Sequence, residues 1–453
     1  MSRGTLVPLS AGQQALWLHH TLAPESSAYN DADAALFTPG PDADALCRAV
    51  DLLVTRHDML RSRFVRDGDG PVREIAPPGS YGLVRRDVSG LDDDALLALT
   101  RELAREPFDL EHGVFRAVLL HRPHDAVLVV AVHHIATDAL SQRLVWRELA
   151  ATYLALASGA EPELPPQRGT FDDYVTNERD MLASPLAAEL AAYWRDVADG
   201  SQAAAVPPDH PRGSRPGYTG ATVVRTLPAD LAQRVRETAV ATGVTPFAVL
   251  TGSLLILLHR YTGQEDLTIG CPTTTRRSRV LRDVVGLLVN TVLLRVRVSR
   301  TDTVAQALAA VGHRLTGAMA RGTYPFALVN AGRSADGPLV RTTVTMVAAQ
   351  RADQIPTAGD PPVRLGPHTV QMLDVPHLEG QTDLTVEFTQ GPRGFSVALR
   401  YDTELYERET FERFADHLLR VVTVACDAPQ TRLSRVSLVD ADEQSRLFAL
   451  GSA

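Results

Sequence analysis

Three segments in the first 180 residues have a pattern of apolar positions that predicts a helix or a strand. In residues 43–64 these positions recur every three or four residues, which predicts a helix with one buried face. This face comprises Leu46, Val50, Leu53, His57 and Leu60. Residues 125–134, DAVLVVAVHH, form an unbroken β-favouring run, which predicts a strand in the interior of a sheet.

A second helix is predicted directly after this strand. Residues 140–159 return to helical spacing, with an apolar stripe of Leu140, Leu144, Leu149, Tyr153 and Leu156. The two histidines that close the strand segment therefore lie where a buried strand ends and a helix begins.

The pattern breaks at a Pro- and Gly-rich segment, residues 199–220, which predicts an irregular linker. Beyond it, strand-like and helical segments alternate again and end in an amphipathic helix within 406–425. A second such segment, 350–368, predicts an irregular surface loop. We therefore predict a mixed α/β protein with an N-terminal domain of residues 1–178 and a C-terminal domain of residues 179–453.

Composition narrows the function classes. The 453 residues carry a formal net charge of −9, which disfavours nucleic acid or an anionic membrane as a partner, because both attract basic surfaces. All 45 basic residues are arginine, so the Walker A loop and Schiff-base lysines are excluded. Cys47, Cys271 and Cys426 form no CxxC pair, so a reducing cytoplasm is the expected location.

Candidate chemistry centres on the segment HHIATD, residues 133–138. Successive side chains of a strand point to opposite faces, so only one of His133 and His134 can reach a given site. A metal site that shares both histidines with Asp138 is one interpretation. The alternatives are structural, because an aspartate at a helix start caps free N–H groups and a histidine at a strand end can be a hydrogen-bonded core residue.

The segment HHIATDA, residues 133–139, resembles the HHxxxDG signature of the condensation domains of nonribosomal peptide synthetases, which belong with the HxxxD acyltransferases. Other segments are similar to further motifs of this family and follow the family's order. They are LSAGQQALWL at 9–18, RHDMLRSRF at 56–64, FDDYV at 171–175, VGLLVNTVLLR at 285–295, TYPF at 323–326 and RSADGPL at 333–339. Matches in order along most of the chain are far more specific than HxxxD alone.

This resemblance implies two lobes of the chloramphenicol acetyltransferase type, arranged as a V-shaped pseudo-dimer with a tunnel between them. Donor and acceptor carrier proteins, peptidyl or acyl, deliver an acyl thioester and an amine on phosphopantetheine arms, and an amide bond forms. The chain itself is then expected to bind no cofactor and no metal, and to be a monomer. The tail, residues 437–453, resembles the stretch that leads into an adenylation domain, which is therefore a further expected partner.

The resemblance also implies roles for individual residues. His134, the second histidine of the motif, is the expected catalytic residue, and His133 supports the site. Asp138 is expected to point away from the substrates and to pair with Arg61 of the RHDMLR segment. Ala139 replaces the motif's glycine, a change that a helix's first turn tolerates but that narrows a substrate channel if one passes there.

Three further features have open interpretations. Asn290 and Tyr324 are candidates for lining the tunnel, or are buried hydrogen-bonding residues. The arginine cluster within 273–283 either meets an acidic carrier or a phosphopantetheine phosphate, or belongs to a solvated loop. Its members are Arg276, Arg277, Arg279 and Arg282. Trp17 is predicted to pack in the core of the first lobe.

Two other functions remain open at this level. One is a stand-alone HxxxD acyltransferase that forms an ester or amide with a free substrate or one linked to coenzyme A or a carrier. The other is a non-catalytic platform that recruits carrier proteins.

Overall fold

In a computed structural model of the protein, the structure describes residues 4–68, 70–79, 81–213, 219–331, 337–348, 361–375, 382–391 and 394–439. The helices are Ala11–Leu22 (α1), Ala43–Arg56 (α2), Asp93–Arg105 (α3), Ala139–Ala157 (α4), Phe171–Ala183 (α5), Pro185–Ala198 (α6), Ala229–Thr242 (α7), Pro246–Thr262 (α8), Val304–Ala320 (α9), Phe326–Asn330 (α10) and Arg408–Asp427 (α11).

The strands are Thr5–Val7 (β1), Asn30–Thr38 (β2), Ser62–Asp67 (β3), Gly70–Ile75 (β4), Val84–Asp87 (β5), Phe115–His121 (β6), Ala126–His133 (β7), Gly220–Thr226 (β8), Asp266–Thr274 (β9), Val289–Arg297 (β10), Thr342–Ala348 (β11), Val363–Leu365 (β12), His368–Leu373 (β13), Leu384–Gly391 (β14) and Gly394–Asp402 (β15). Short 3₁₀ turns lie at Asp58–Arg61, His134–Ala136 and Leu433–Arg435.

The chain divides into two compact units, and a single boundary does not separate them. The first unit contains residues up to Ser184, the segment Thr274–Val289 and the described part of Arg351–His377. The second unit contains the remaining described residues. The predicted division after residue 178 lies near the first boundary, but it misses the two later segments that return to the first unit. Long-range packing defines such segments, and local sequence patterns do not record it.

The first unit is built on a six-stranded sheet in the order β12-β13-β2-β7-β6-β5, with a separate three-stranded sheet β1-β4-β3. Every residue of β7 is buried, and β7 pairs antiparallel with both β2 and β6. The predicted interior strand is thereby confirmed. Helices α2 and α4 pack together, with Leu53 and Leu149 in the core of this unit.

Two of the predicted helices end or face differently from the expectation. Helix α2 ends at Arg56, because His57 is extended and a 3₁₀ turn precedes β3. His57 and Leu60 lie beyond the helix but are buried. Their positions in the sequence therefore continue the helical spacing although the backbone there is not an α-helix. In α4, Leu140 is 43% exposed and does not belong to the buried stripe.

The second unit holds a six-stranded mixed sheet in the order β10-β9-β11-β14-β15-β8. Strand β11 is parallel to β9 and β14, and β14, β15 and β8 run antiparallel. Helix α8 is buried from Ala248 to His259 and packs against α9 and α11. The apolar run at 247–258 is therefore a core helix.

Of the two Pro- and Gly-rich segments, the second contains structure that its composition does not suggest. Strand β12 lies within the predicted loop 350–368, and β13 begins at its last residue. Strand β13 pairs with β2 and β12 pairs with β13, so both extend the first sheet. Residues 350–360 of the predicted loop lie outside the described residues. Among the described residues no single helix is long and apolar enough to cross a membrane, although α7 and α8, which meet at 100°, meet that criterion as a bent pair.

Candidate active site

His134 lies immediately after the buried strand β7, at the start of a 3₁₀ turn. Its backbone N–H donates to the carbonyl of Tyr29 at 2.7 Å, and the side chain of Gln13 on α1 donates to the carbonyl of Ile135 at 3.0 Å. Gln13 belongs to the LSAGQQALWL segment and is fully buried. Hydrogen bonds from outside the turn therefore fix the backbone that carries His134.

The His134 imidazole contacts a carboxylate. Its Nδ1 lies 2.7 Å from Oδ2 of Asp31 on β2, and the two side chains are 22% and 14% exposed. The ring of Tyr29 lies nearly parallel to the imidazole, with 6.3 Å between centroids. Nε2 of His134 has no hydrogen-bond partner among the described residues. In the neutral imidazole, Nδ1 then carries the proton that Asp31 accepts, and Nε2 has the lone pair.

Opposing effects act on the pKa of His134. Burial lowers this pKa, but the negative charge of Asp31 and its hydrogen bond raise it, and Asp138 adds a smaller contribution in the same direction. The net result is a pKa above the ordinary value for histidine. His134 is thus a stronger base than a free imidazole.

His133 has different surroundings and a different protonation behaviour. It is buried, its Nδ1 accepts a hydrogen bond from the N–H of Ile135 at 3.1 Å, and its ring lies beside those of His20 and Phe108. Burial, reinforced by nearby histidines, lowers the pKa of His133 to about 3. His133 is therefore neutral at physiological pH, and its Nδ1 holds the N–H of Ile135 in the turn.

Asp138 caps helix α4 and forms a buried ion pair. One carboxylate oxygen accepts the N–H of Ser141 at 2.8 Å. The other accepts from Nη1 of Arg276 at 2.6 Å and from the N–H of Leu288 at 2.9 Å. Both charged side chains are 5% exposed. Asp138 pairs with an arginine, as the resemblance implies, but with Arg276 and not with the expected residue.

The predicted pairing of Asp138 with Arg61 is wrong. The guanidinium of Arg61 donates to the carbonyls of Ala76, Val54 and Thr55 at 2.9, 3.1 and 2.8 Å. The last two carbonyls belong to the final turn of α2 and lack helical donors. Arg61 therefore closes a helix end instead of neutralising Asp138.

Arg276 is the residue of the arginine cluster whose role sequence reasoning missed. Besides Asp138, it donates from Nη2 to Oγ of Ser141 at 2.7 Å and to the carbonyl of Val284 at 3.0 Å. Ser141 Oγ in turn donates to the carbonyl of Gly286 and accepts its N–H. This network joins the start of α4 to the segment 274–289. Arg277, Arg279 and Arg282 are exposed, which agrees with either interpretation of the cluster, whereas the buried bonds of Arg276 give it a structural role.

Ala139 is the exposed first residue of helix α4. A helical backbone needs no positive φ, so the freedom of glycine is not required here. This position matches the interpretation in which alanine is tolerated in a first helical turn.

Asn290 and Tyr324 lie in the second unit, and the Asn290 side chain bonds to the backbone of residues 322–326. The Asn290 side chain donates to the carbonyls of Gly322 and Tyr324 at 2.9 and 2.7 Å and accepts the N–H of Phe326 at 2.9 Å. Tyr324 is partly buried against the core of that unit. Asn290 thus has the structural role that was one of its two interpretations, and a role for either residue in lining a tunnel stays a prediction.

The remaining motif segments have mainly structural contacts. Ser10 and Gln13 form a capping box at the start of α1, and Trp17 is only partly buried, with the guanidinium of Arg66 over its ring. In the FDDYV segment, Tyr174 donates to Glu178 at 3.0 Å. Most of the RSADGPL segment, residues 333–336, lies outside the described residues.

Asp31 is the site residue that sequence reasoning did not find. It is 103 residues from His134 along the chain, and only the pairing of β2 with β7 brings the two together. One local signal exists: Asp31 and Asp33 alternate with alanines at the start of an apolar segment, which is unusual for a strand that packs inside a sheet.

The chain has two α/β units, and the first carries a histidine at the end of a buried interior strand. A family model described as the condensation domain matches residues 4–448, and the chain belongs to this family. Solved structures agree in fold. The X-domain from teicoplanin biosynthesis aligns with a TM-score of 0.85 at 24% identity over 97% of this chain and 99% of that one. The first condensation domain of the calcium-dependent antibiotic synthetase aligns with a TM-score of 0.79 at 22% identity, over 96% of this chain and 99% of that one. The predicted two-lobed fold of the chloramphenicol acetyltransferase type is thereby confirmed.

Curated relatives are much longer proteins. Phosphinothricin tripeptide synthetase PhsC of Streptomyces viridochromogenes is 30% identical over 96% of this chain, which covers 41% of that protein. Chondramide synthase cmdD of Chondromyces crocatus is 29% identical over 98% of this chain, which covers 11% of it. The chain therefore spans less than half the length of these synthetases.

Proposed function

We propose that this chain catalyses amide-bond formation between a donor acyl thioester and the amine of an acceptor, both carried by carrier proteins. The observation that carries the proposal is the state of His134. Its ring is partly exposed and its Nδ1 lies 2.7 Å from the Asp31 carboxylate, an arrangement that puts the proton of the neutral ring on Nδ1 and the lone pair on Nε2. The match to the condensation domain family supplies the substrate class.

The proposed chemistry is general base catalysis. The acceptor amine attacks the thioester carbonyl and forms a C–N bond, and Nε2 of His134 removes a proton from the resulting ammonium. The tetrahedral intermediate then collapses, the C–S bond breaks, and the donor pantetheine thiolate leaves and takes the proton from Nε2 of His134, which returns the imidazole to its base form. Thioesters are already activated, so no covalent acyl-enzyme is needed. The product stays on the acceptor carrier.

Most of the acceleration is proposed to come from positioning. Holding two tethered reactants in line is worth several kcal/mol, up to roughly 7–11 in favourable cases. In this account the chain holds no cofactor of its own, since the phosphopantetheine arms belong to the carriers. Asp138 and Arg276 contribute indirectly, because their ion pair fixes the start of α4 next to the turn that carries His134.

The test uses separately loaded donor and acceptor carriers, with pantetheine-bound products read by mass spectrometry. We expect an amide on the acceptor carrier with the wild-type chain and little product with His134→Ala. The matched control is His121→Ala, which removes an exposed histidine from the neighbouring strand β6 of the same sheet. Product formation that His134→Ala does not reduce would contradict the assignment.

A recruiting platform is the second candidate function. It is favoured by one observation, the alignment to an X-domain that has been solved in a complex with OxyB. For this alternative the same assay gives carrier binding without product, and His134→Ala leaves that binding unchanged. A stand-alone acyltransferase would instead accept an acyl group from coenzyme A, or transfer it to a free amine or hydroxyl compound. Offering those substrates in place of the carriers distinguishes it.

A further inference from the structure

Asp31 lies outside every segment that carries the family resemblance, yet its carboxylate is the side chain bonded to the His134 imidazole. It lies on β2, which pairs with β7 so that Asp31 is opposite Val132 and the preceding Asn30 is opposite His133. This register brings the Asp31 carboxylate within 2.7 Å of Nδ1 of His134.

The position of Asp31 is fixed by its strand. Strand β2 lies between β13 and β7. It pairs with β7 along Asn30–Phe37, which includes Asp31, and with β13 further along, at Ala34–Thr38. The neighbouring Asn30 is buried and donates from Nδ2 to the carbonyls of Ala104 and Glu106 at 3.1 and 2.9 Å. With the backbone held in this way and the carboxylate mostly shielded from water, the contact with His134 is preorganised, unlike an exposed ion pair between flexible side chains.

We propose that Asp31 is a positioning residue for the reaction at His134, an inference that rests on the proposed function. By accepting the Nδ1 proton, it holds the imidazole in the tautomer whose Nε2 lone pair can take the proton of the acceptor ammonium. It then stabilises the imidazolium that forms. Asp31 neither contacts substrate nor gains a proton itself, and its effect reaches the reaction only through His134.

Other charged groups near His134 do not replace Asp31. Asp138, at the start of α4, is bonded to Arg276 at 2.6 Å, which offsets its charge. His133, the neighbour in the chain, is kept neutral by burial, and burial also lowers the pKa of His20 on α1. Asp33, two residues along β2, accepts a hydrogen bond from Trp146 at 3.0 Å.

These surroundings define the pH dependence. The base form of His134 is lost as pH falls through its raised pKa, so activity declines on the acid side at a higher pH than an ordinary imidazole would give. Replacing Asp31 by asparagine removes the charge that raises this pKa and leaves burial, which lowers it. The acidic limb of the pH–rate profile then moves to lower pH, while the maximal rate falls.

The experiment compares wild type, Asp31→Asn and the matched control Asp33→Asn, which changes a carboxylate of the same strand that contacts a different side chain. Nitrogen-15 NMR of histidine-labelled protein, titrated with pH, reports the pKa and tautomer of His134, whose signal is identified by its loss in His134→Gln. For Asp31→Asn we expect a lower His134 pKa, loss of the Nδ1–H tautomer preference, and kcat reduced by about tenfold or more with unchanged KM for the acceptor carrier. Asp33→Asn should leave the His134 pKa and tautomer unchanged.

Two results would overturn the role of Asp31. The first is an unchanged pKa and tautomer of His134 in Asp31→Asn, even with activity lost, because the loss would then be structural. The second is an Asp31→Asn protein with the altered NMR signature and an unaltered kcat and pH profile. If the wild-type chain forms no product, the proposed function fails, and so does the catalytic role of the Asp31–His134 pair. The NMR titration still reports whether that pair exists.

Discussion

The buried ion pair between Asp138 and Arg276 allows the sharpest stability prediction. Asp138→Asn keeps an oxygen that can cap the N–H of Ser141, but it removes the charge opposite a guanidinium that is 5% exposed. Breaking a buried pair by removing one partner costs roughly 3–5 kcal/mol, because the other charge stays buried. Arg276 keeps its bonds to Ser141 Oγ and the Val284 carbonyl in this variant. We therefore expect Asp138→Asn to lower the free energy of unfolding by about 3 kcal/mol, the lower end of that range.

A double-mutant cycle identifies the partner of Asp138. If Arg276 is that partner, Asp138→Asn combined with Arg276→Met costs less than the sum of the single changes, with a coupling energy of about 2 kcal/mol. Arg61→Met is the matched control, because the Arg61 guanidinium donates to backbone carbonyls elsewhere in the unit. Its cost should add to that of Asp138→Asn within about 0.5 kcal/mol.

The assay is urea unfolding of the first unit, followed by tryptophan fluorescence. The chain has three tryptophans, of which Trp17 and Trp146 lie in the first unit. A Trp194→Phe background therefore makes the signal report that unit alone. A cost below about 1 kcal/mol for Asp138→Asn, or a coupling to Arg61 larger than that to Arg276, would refute the reasoning.

Two further predictions concern neighbours of His134. Because burial lowers the pKa of His133 from 6.5 to about 3, the unfolded state gains a proton that the folded state does not. The contribution of His133 to the free energy of unfolding should fall by about 2 kcal/mol between about pH 8 and about pH 5. His133→Asn, which preserves an acceptor for the Ile135 N–H, should remove this part of the pH dependence in the same urea assay. Ala139→Gly, at an exposed helix start, should lower stability by less than about 1 kcal/mol and leave product yield unchanged; a large gain in product would show that the methyl group restricts substrate.

Local pattern predicted the elements around the site well. A long apolar run followed by helical spacing correctly placed β7, the turn and α4, because burial of a central strand demands continuous apolar residues. It extended α2 too far because His57 and Leu60 are buried for reasons other than helical periodicity.

Contacts between distant segments were beyond local pattern. Arg276 lies in an arginine-rich segment typical of a solvated loop, and only the fold turns its side chain towards Asp138, which is 138 residues away. Strands β12 and β13 were missed for the same reason: Pro and Gly near them indicate a loop, but β13 pairs with the distant strand β2, and β12 pairs with β13. In each case the stabilising partner is remote in sequence.

The central claim is that the imidazole of His134 takes the proton of the acceptor ammonium. Single-turnover rates with loaded carriers test it most directly, for wild type, His134→Ala and the control His121→Ala, each shown by thermal unfolding to be folded. General base catalysis predicts a rate for His134→Ala that is lower by about 10²–10⁴-fold, with His121→Ala unchanged. A folded His134→Ala protein that forms the amide at the wild-type rate would contradict it.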